Sequence, residues 1–240
     1  MGDFLKTWYG ITIFLLFDLI ALTLVICITY RWLSKYILDW LASLVCIVIL
    51  SPLYAVIFIR AAIEKANGRL KSIFAYQSAV GQKGKNIRLS TFETKDENGQ
   101  MHAYGEWLTR TKLYTLSKFF DLFLGKVSIV GVKPFTEGDC VFLSNEEEER
   151  HTVRPGFINP LVLRDKQIAD YDQMIANDLQ YASKFSFFGD CKIFLKWMVK
   201  CIRGEDNGYL GNTRDVSYAQ ALLDEQRITQ ADYDEAMRTE

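Results

Sequence analysis

The chain has 240 residues, a length that allows one domain with additional elements, and half of its residues are hydrophobic. The formal net charge of −1 argues against bulk electrostatic attraction to nucleic acid. Five cysteines without a Cys-x-x-Cys pair argue against a disulfide framework or a zinc site, and two histidines argue against a serine triad. The apolar residues are concentrated before residue 60, which indicates a membrane segment followed by an ordinary soluble domain.

The first apolar run, Trp8 to Tyr30, is long enough to span a bilayer and has aromatic residues at both ends. A cleavable signal peptide is the alternative, but the run is too long and no small-residue cleavage site follows it. Arg31 and Lys35 come next, so the positive-inside rule predicts a cytoplasmic C-terminal end. Asp18 falls in mid-span, where a carboxyl group either meets a partner or is tolerated in its protonated form. We assign residues 1–34 to a transmembrane helix.

The second apolar run, Tyr36 to Ile59, does not fit a simple crossing of the membrane. A crossing would carry Arg60 and the three cations after it to the outside, which violates the charge rule. Ser51 and Pro52 interrupt the run near its middle, because proline removes a helical hydrogen bond and clashes with the preceding turn. The run therefore predicts a re-entrant membrane helix over residues 36–60 that turns at Ser51-Pro52 and leaves on the side where it entered.

The next segment, residues 72–92, reads as two short strands around a Gln-Lys-Gly-Lys turn, which is a hairpin signal. Residues 93–104 are polar, contain Asn98-Gly99, and are predicted to form a flexible loop.

The central stretch of the chain, Lys112 to Lys133, combines a helix, a tight turn and a strand. Its first half places apolar residues at helical spacing, Gly125-Lys126 ends the helix, and Val127 to Val130 has the β-branched composition of a short buried strand. The unit closes on the cation Lys133. Such a unit can hold a phosphate, but it can equally be an amphipathic helix packed on a strand, and spacing alone does not decide between them. Asp121 in the helix is expected to lie at the surface.

The downstream part of the chain is predicted to be mainly helical. Ser144-Asn145 followed by Glu146 to Glu149 has the pattern of a helix cap with acids in the first turn. Further on, Lys192, Lys196, Lys200 and Arg203 alternate with large apolar residues. This pattern predicts a basic amphipathic helix on an anionic membrane surface, with a solvated lysine stripe over a core helix as the alternative.

Residues 205–240 are predicted to form a linker and a helical appendage. Tyr218 to Gln226 and Gln230 to Arg238 have the pattern of two short helices, and Thr229 is the expected N-cap of the second. Helices this short bury little surface on their own, so we expect them to dock on a partner.

The central stretch resembles the core of the bacterial monotopic phosphoglycosyl transferases, the bacterial sugar transferase domain. The family pattern runs Ser-Leu-Asp-Glu-Leu-Pro-Gln, a helix, Leu-Lys-Gly-Asp-Met-Ser and Val-Gly-Pro-Arg-Pro. Without a gap, this chain has residues 112–118, 124–128 and 130–134 at those places. The nucleophilic Asp of the family is replaced by Tyr114 and its Glu partner by Thr115. A phenol and a neutral hydroxyl are poor substitutes for a carboxylate pair that attacks a diphosphate and holds its divalent ion.

The resemblance covers roughly Lys35 to Gly204, and the Ser51-Pro52 hinge matches the family's re-entrant helix. Lys35 and Asp39 match the basic-x-x-x-Asp pattern at which that helix enters the membrane. The phosphate-facing cations are mostly replaced: Tyr76 and Ala79, for example, stand where the family has arginines. The remnants that the resemblance predicts to face phosphate are Gln77, Lys133, Arg150 and Arg154.

The resemblance implies an α+β protein, in which a membrane anchor and a re-entrant helix carry a small mixed α/β cytoplasmic domain with amphipathic interfacial helices. Active members move a sugar phosphate from a UDP-sugar to undecaprenyl phosphate. Because the dyad is missing, residues 35–204 are expected to form a non-catalytic scaffold or regulatory partner in the bacterial cytoplasmic membrane. Its expected partners are the lipid bilayer, a polyprenyl phosphate, and a protein: an active transferase, another glycan-assembly enzyme or a second copy.

Two other functions stay open from the sequence. The first is an active transferase in which Tyr114 replaces the nucleophile, since tyrosine can form phosphoester intermediates, and this function alone would require Mg²⁺. The second is a membrane adaptor without any ligand. No cofactor or metal is expected otherwise.

Overall fold

The structure is a computed structural model that describes residues 7–96, 99–163, 171–203 and 217–238. In these ranges it is an α+β protein with a long apolar helix at its N-terminal end, as predicted. The helices are α1 (Trp8–Thr29), α2 (Lys35–Ile49), α3 (Ser51–Ala66), α4 (Ala103–Arg110), α5 (Lys118–Phe123), α6 (Glu137–Cys140), α7 (Tyr171–Lys184), α8 (Phe187–Arg203), α9 (Tyr218–Asp224) and α10 (Gln230–Met237). The strands are β1 (Phe74–Val80), β2 (Asn86–Phe92), β3 (Ser128–Val130) and β4 (Gly156–Ile158).

The two apolar runs join into one continuous helix, Trp8–Ile49, whereas the sequence predicted separate segments. A π-helical turn, Tyr30–Ser34, connects α1 to α2. The connection departs from regular helical geometry at Thr29, which has φ −92° and ψ 2°. Among the described residues this is the one helix that is long and apolar enough to cross a membrane.

One helix ends and the next begins at Ser51-Pro52. α2 ends at Ile49, and Leu50 leaves the helical region with φ −85° and ψ 2°. α3 then begins at Ser51 with proline in its first turn, where the missing amide hydrogen costs no helical bond. α3 continues to Ala66, past the predicted end of the membrane segment.

The β structure consists of two small sheets. β1 and β2 form the predicted antiparallel hairpin, in which Phe74 pairs with Phe92 and Val80 pairs with Asn86. β3 and β4 pair in parallel, with Ser128 opposite Gly156. A Cβ atom added to Gly156 would lie 2.1 Å from the nitrogen of Gly131, so the close approach of these two segments requires glycine.

The predicted flexible loop over residues 93–104 is partly ordered. Lys95 and Met101 form a β-bridge, and α4, which the sequence did not predict, begins at Ala103. Residues 97 and 98 lie outside the described residues, as do residues 164–170 and residues 204–216, which include the predicted linker at 205–212.

The appendage docks on the domain itself. α9 and α10 correspond to the two predicted helices, and the side chain of Thr229 caps α10 as expected. The ring of Tyr218 in α9 stacks on that of Phe135, with centroids 5.5 Å apart, and the amide of Ala219 donates to Asp139 at 2.9 Å. α9 therefore gains stability from an apolar cluster that it shares with α7.

Candidate functional site

The pair aligned with the family dyad lies in a 3₁₀ turn, Leu113–Ser117, just before α5. The hydroxyl of Thr115 donates a local hydrogen bond to the carbonyl of Lys112 at 2.8 Å. Tyr114 is half-buried and packs against an apolar cluster that includes Tyr54 and Phe92. Both side chains are thus engaged in local structure and packing.

This donor set does not fit a divalent ion of the kind the resemblance implies. Mg²⁺ favours carboxylate and other oxygen ligands together with phosphate. Tyr114 and Thr115 supply a phenol and an alcohol instead of two carboxylates. Within residues 7–96, 99–163, 171–203 and 217–238, no group of three or more His, Cys, Asp or Glu side chains is placed to hold a metal ion.

Asp121 in α5 is buried, so the prediction that it lies at the surface was wrong. One carboxylate oxygen accepts hydrogen bonds from the amide of Ser90 at 2.6 Å and from its hydroxyl at 2.9 Å. The other oxygen pairs with the ammonium of Lys126 at 2.8 Å. The carboxylate therefore fastens α5 to β2. The sequence could not reveal this role, because Ser90 lies far from Asp121 along the chain.

Arg150, a predicted phosphate-binding residue, is fully buried in an ion pair. Its guanidinium contacts the carboxylate of Asp178 at 2.6 Å and donates to the carbonyl of Lys133 at 2.7 Å. It also lies over the ring of Phe135, 3.7 Å from the centroid. Burial raises the pKa of Asp178, while Arg150 and a hydrogen bond from Asn159 oppose that shift. The arrangement ties α7 to the segment that follows β3.

Arg154 and the two residues predicted at the start of the membrane helix meet in one buried junction. Asp39 accepts hydrogen bonds from Arg154 at 2.7 Å and from the hydroxyl of Ser128 at 2.7 Å. Lys35 pairs with Asp190 and also donates to the carbonyl of Val130 at 3.0 Å. The start of α2 is therefore locked to β3 by charged groups that satisfy each other inside the protein.

Lys133 and Gln77 are more accessible than the two arginines. The ammonium of Lys133 donates to the hydroxyl of Tyr171 at 2.9 Å and lies over its ring. Burial lowers the pKa of Lys133, with Asp139 opposing the shift. Gln77 is exposed in β1, opposite Leu89. The structure does not bring the four predicted residues into one cluster that is free to bind phosphate, because Arg150 and Arg154 each pair with a carboxylate.

Sequence reasoning missed the acids that neutralise these cations. Asp178 and Asp190 lie 28 and 155 residues from their partners along the chain. An acidic residue among apolar residues in a predicted helix is the sequence signal that could have identified them, because a buried acid needs a partner.

Comparison with known proteins identifies the family of this α+β chain. The sequence model of the family described as "Bacterial sugar transferase" matches residues 30–204. The chain belongs to this family.

Several curated relatives share this region at low identity. The chain is 24% identical over 191 residues to the exopolysaccharide production protein ExoY of Sinorhizobium fredii, covering 68% of this chain and 83% of that protein. It is 23% identical over 189 residues to the UDP-N-acetylgalactosamine-undecaprenyl-phosphate N-acetylgalactosaminephosphotransferase of Aeromonas hydrophila, covering 70% of this chain and 43% of that protein. A match to the galactosyl transferase CpsE of Streptococcus agalactiae is 24% identical and covers 42% of this chain and 22% of that protein.

Proposed function

We propose that this chain is a non-catalytic member of the sugar transferase family that acts as a membrane scaffold or regulatory partner in glycan assembly. One observation carries the proposal: Tyr114 and Thr115 occupy the dyad positions, and each is engaged in packing or local hydrogen bonding. Loss of a covalent nucleophile costs many orders of magnitude in rate, so the retained fold serves another purpose. The relatives' names place those proteins in exopolysaccharide production and sugar-phosphate transfer.

Membrane placement of the N-terminal helix is part of this proposal. α1 has 22 residues, which gives a length of about 33 Å at 1.5 Å per residue and matches a hydrocarbon core of about 30 Å. Its large apolar side chains are exposed along the whole length, as a lipid-facing helix requires. Arg31 and Lys35 follow α1, and the positive-inside rule therefore supports a cytoplasmic position for the folded domain.

Contacts at both ends of the second apolar run support a re-entrant path for α2 and α3. Before the break, Asp39 and Trp40 contact β3 and α5 of the folded domain. After it, the hydroxyl of Tyr54 donates to the carbonyl of Leu116, and Arg60 lies over the ring of Trp107, 4.5 Å from the centroid. Because one folded domain cannot lie on both sides of a bilayer, both ends of the run belong on its cytoplasmic side.

α8 supplies a second membrane contact in this proposal. Phe188, Leu195 and Ile202 are 66%, 60% and 81% exposed along the helix. Lys200 is buried and Lys196 donates to the carbonyl of Leu163, so the basic stripe is partly committed to the protein. The exposed apolar residues favour insertion at the membrane interface over the alternative of a core helix.

Residual binding of a polyprenyl phosphate or a nucleotide anion would rest on Lys133 and Gln77. Arg150 and Arg154 face Asp178 and Asp39, which compete with any phosphate for the same donors. Any affinity for such an anion is therefore expected to be weak.

The test is a transferase assay in lipid nanodiscs with a panel of UDP-sugars and undecaprenyl phosphate. We expect no turnover from the parent protein and none from Tyr114→Phe. Turnover that disappears in Tyr114→Phe would contradict the proposal and favour tyrosine as nucleophile. The double variant Tyr114→Asp with Thr115→Glu is the matched gain-of-function arm: turnover there alone would trace the missing activity to the dyad.

The scaffold role requires a partner, which crosslinking in native membranes followed by purification should recover. Recovery of an intact monomer without any partner would count against this role.

A further inference from the structure

A cavity of about 400 Å³ lies beside the turn of the β1–β2 hairpin and brings two short helical segments together. One segment is α6, and the other is the 3₁₀ segment Glu147–Thr152. Each contributes a glutamate and, three residues later on the same face, a side chain that binds soft metal ions. The four side chains that line the cavity in this way are Glu137 and Cys140 from α6, and Glu148 and His151 from the 3₁₀ segment.

Cys140 and His151 stand at the spacing of two ligands of one metal ion. The Sγ atom of Cys140 lies 3.5 Å from Nε2 of His151. A tetrahedral zinc ion, with bonds of about 2.3 Å to sulfur and about 2.0–2.1 Å to nitrogen, separates these atoms by about 3.5–3.6 Å. The same distance suits a hydrogen bond between a thiol and an imidazole, so the other residues of the cavity decide between the two.

The two glutamates of the cavity are available to complete a ligand set. Among the described residues, neither Glu137 nor Glu148 forms a side-chain hydrogen bond or an ion pair, and Lys83, the cation of the same lining, pairs with neither. No three acidic, histidine or cysteine side chains converge as they stand in that part of the chain, so an ion must draw a carboxylate inward. A change of rotamer achieves this, because a glutamate side chain turns about three bonds. A cation between the two carboxylates also removes their mutual repulsion.

We propose that these four side chains form a binding site for one zinc ion. A thiolate and an imidazole favour zinc over Mg²⁺, which prefers oxygen ligands. Arg150 lies in the same 3₁₀ segment, and its charge is offset by Asp178, so it does not exclude a second cation nearby. Burial raises the pKa of the Cys140 thiol to about 12, so this cysteine loses its proton to the binding ion and is no free nucleophile without it.

The ion would act as a fastener inside the domain. Its ligands lie on α6 and on the segment Glu147–Thr152, eleven residues apart at Cys140 and His151. Because the folded chain alone brings these groups together, zinc binding stabilises the folded state. The site uses neither Tyr114 nor Thr115, so it holds whether or not the chain catalyses sugar transfer.

The experiment titrates the full chain, purified in detergent and stripped with a chelator, with Co²⁺ and then with Zn²⁺. Co²⁺ is the spectroscopic probe, because a cobalt–thiolate bond gives a charge-transfer band that carboxylate and imidazole ligands do not give. We expect a single Co²⁺ per chain, displacement by Zn²⁺, and no displacement by an excess of Mg²⁺. The band should disappear in Cys140→Ser, whereas Cys201→Ser, which removes an exposed cysteine of α8, should keep it.

Variants of the acids test the rest of the site. The double variant Glu137→Gln with Glu148→Gln should weaken zinc affinity by at least the roughly 10–100-fold that loss of an outer-shell partner causes. Glu149→Gln removes an exposed acid from the same 3₁₀ segment and should leave the affinity unchanged. Zinc should raise the midpoint of thermal unfolding of the parent and leave that of Cys140→Ser unchanged.

Three results would overturn the site. They are a parent that binds no Co²⁺ at any ratio, a charge-transfer band that persists in Cys140→Ser, and equal zinc affinity of the parent and the double glutamine variant. Circular dichroism of each variant in chelator separates the loss of a ligand from the loss of the fold. Should Cys140→Ser fail to fold, the double glutamine variant carries the test against its Glu149→Gln control.

Discussion

The buried ion pair between Arg150 and Asp178 allows a quantitative test of how paired buried charges affect the stability of the domain. Both side chains are inaccessible to solvent and their charged atoms lie 2.6 Å apart. Among the described residues, Nε and Nη1 of Arg150 have no hydrogen-bond partner, so the carboxylate of Asp178 supplies most of the interaction that offsets the burial of this cation. Asp178→Ala should therefore leave an uncompensated buried charge, at a cost of about 3–5 kcal/mol.

The assay is thermal unfolding of the purified protein in detergent, followed by circular dichroism. For a chain of this size, 1 kcal/mol corresponds to about 2–4 °C, so the midpoint for Asp178→Ala should fall by roughly 6–20 °C. The matched control is the double variant Arg150→Met with Asp178→Leu, which removes both charges and keeps apolar volume. Because paired removal avoids the unpaired cation, this variant should recover most of the lost stability. A loss below about 1 kcal/mol in Asp178→Ala would refute the reasoning.

Three further predictions concern stability. Burial lowers the pKa of His151 from 6.5 to about 4. As the pH falls, His151 therefore binds a proton in the unfolded chain before it does so in the folded chain. The contribution of His151 to stability is complete above its unfolded pKa and falls by about 2 kcal/mol between about pH 7 and about pH 5. Asp121→Ala should cost about 2–3 kcal/mol, because the amide and hydroxyl of buried Ser90 lose a charged acceptor. Tyr218→Ala should cost about 3 kcal/mol by removing the ring that stacks on Phe135, and should expose the C-terminal helices to protease.

Controls accompany these three measurements. His151→Gln should flatten the pH dependence over that interval, and an unchanged slope would contradict the assignment to this residue. Asp121→Asn keeps an acceptor for Ser90 and should lose less stability than Asp121→Ala; equal losses would argue against the hydrogen bonds as the cause. Glu235→Ala, at an exposed position in α10, should change stability by less than about 0.5 kcal/mol. Proteolysis of Tyr218→Ala at the parent's rate would contradict docking of the appendage through this ring.

The charged residues at the start of α2 have structural partners. Lys35 and Asp39 lie at the start of α2, and their partners on β3 and α8 hold this helix against the folded domain. Removing one member leaves a buried charge unpaired, which is costly whether or not the protein catalyses a reaction. The structural contacts of these residues therefore explain their presence, which is no evidence for catalytic activity.

The sequence by itself determined the local elements of this protein. Composition placed the apolar helix at the N-terminus, proline at residue 52 located the end of α2, and the turn residues predicted the hairpin of β1 and β2. The capping pattern at Thr229 located the start of α10. These features depend on backbone preferences and on periodicity within a few residues, which a single sequence displays directly.

Tertiary structure alone decided what the charged residues do. Arg150 and Arg154 have the sequence pattern of phosphate ligands, yet each is buried against an acid from a distant helix. Asp121 has the pattern of a surface acid, yet it joins α5 to β2. The free energy of a charge depends on the groups that surround it in space, and partners that lie 28, 31 and 115 residues apart leave no periodic signal in the chain.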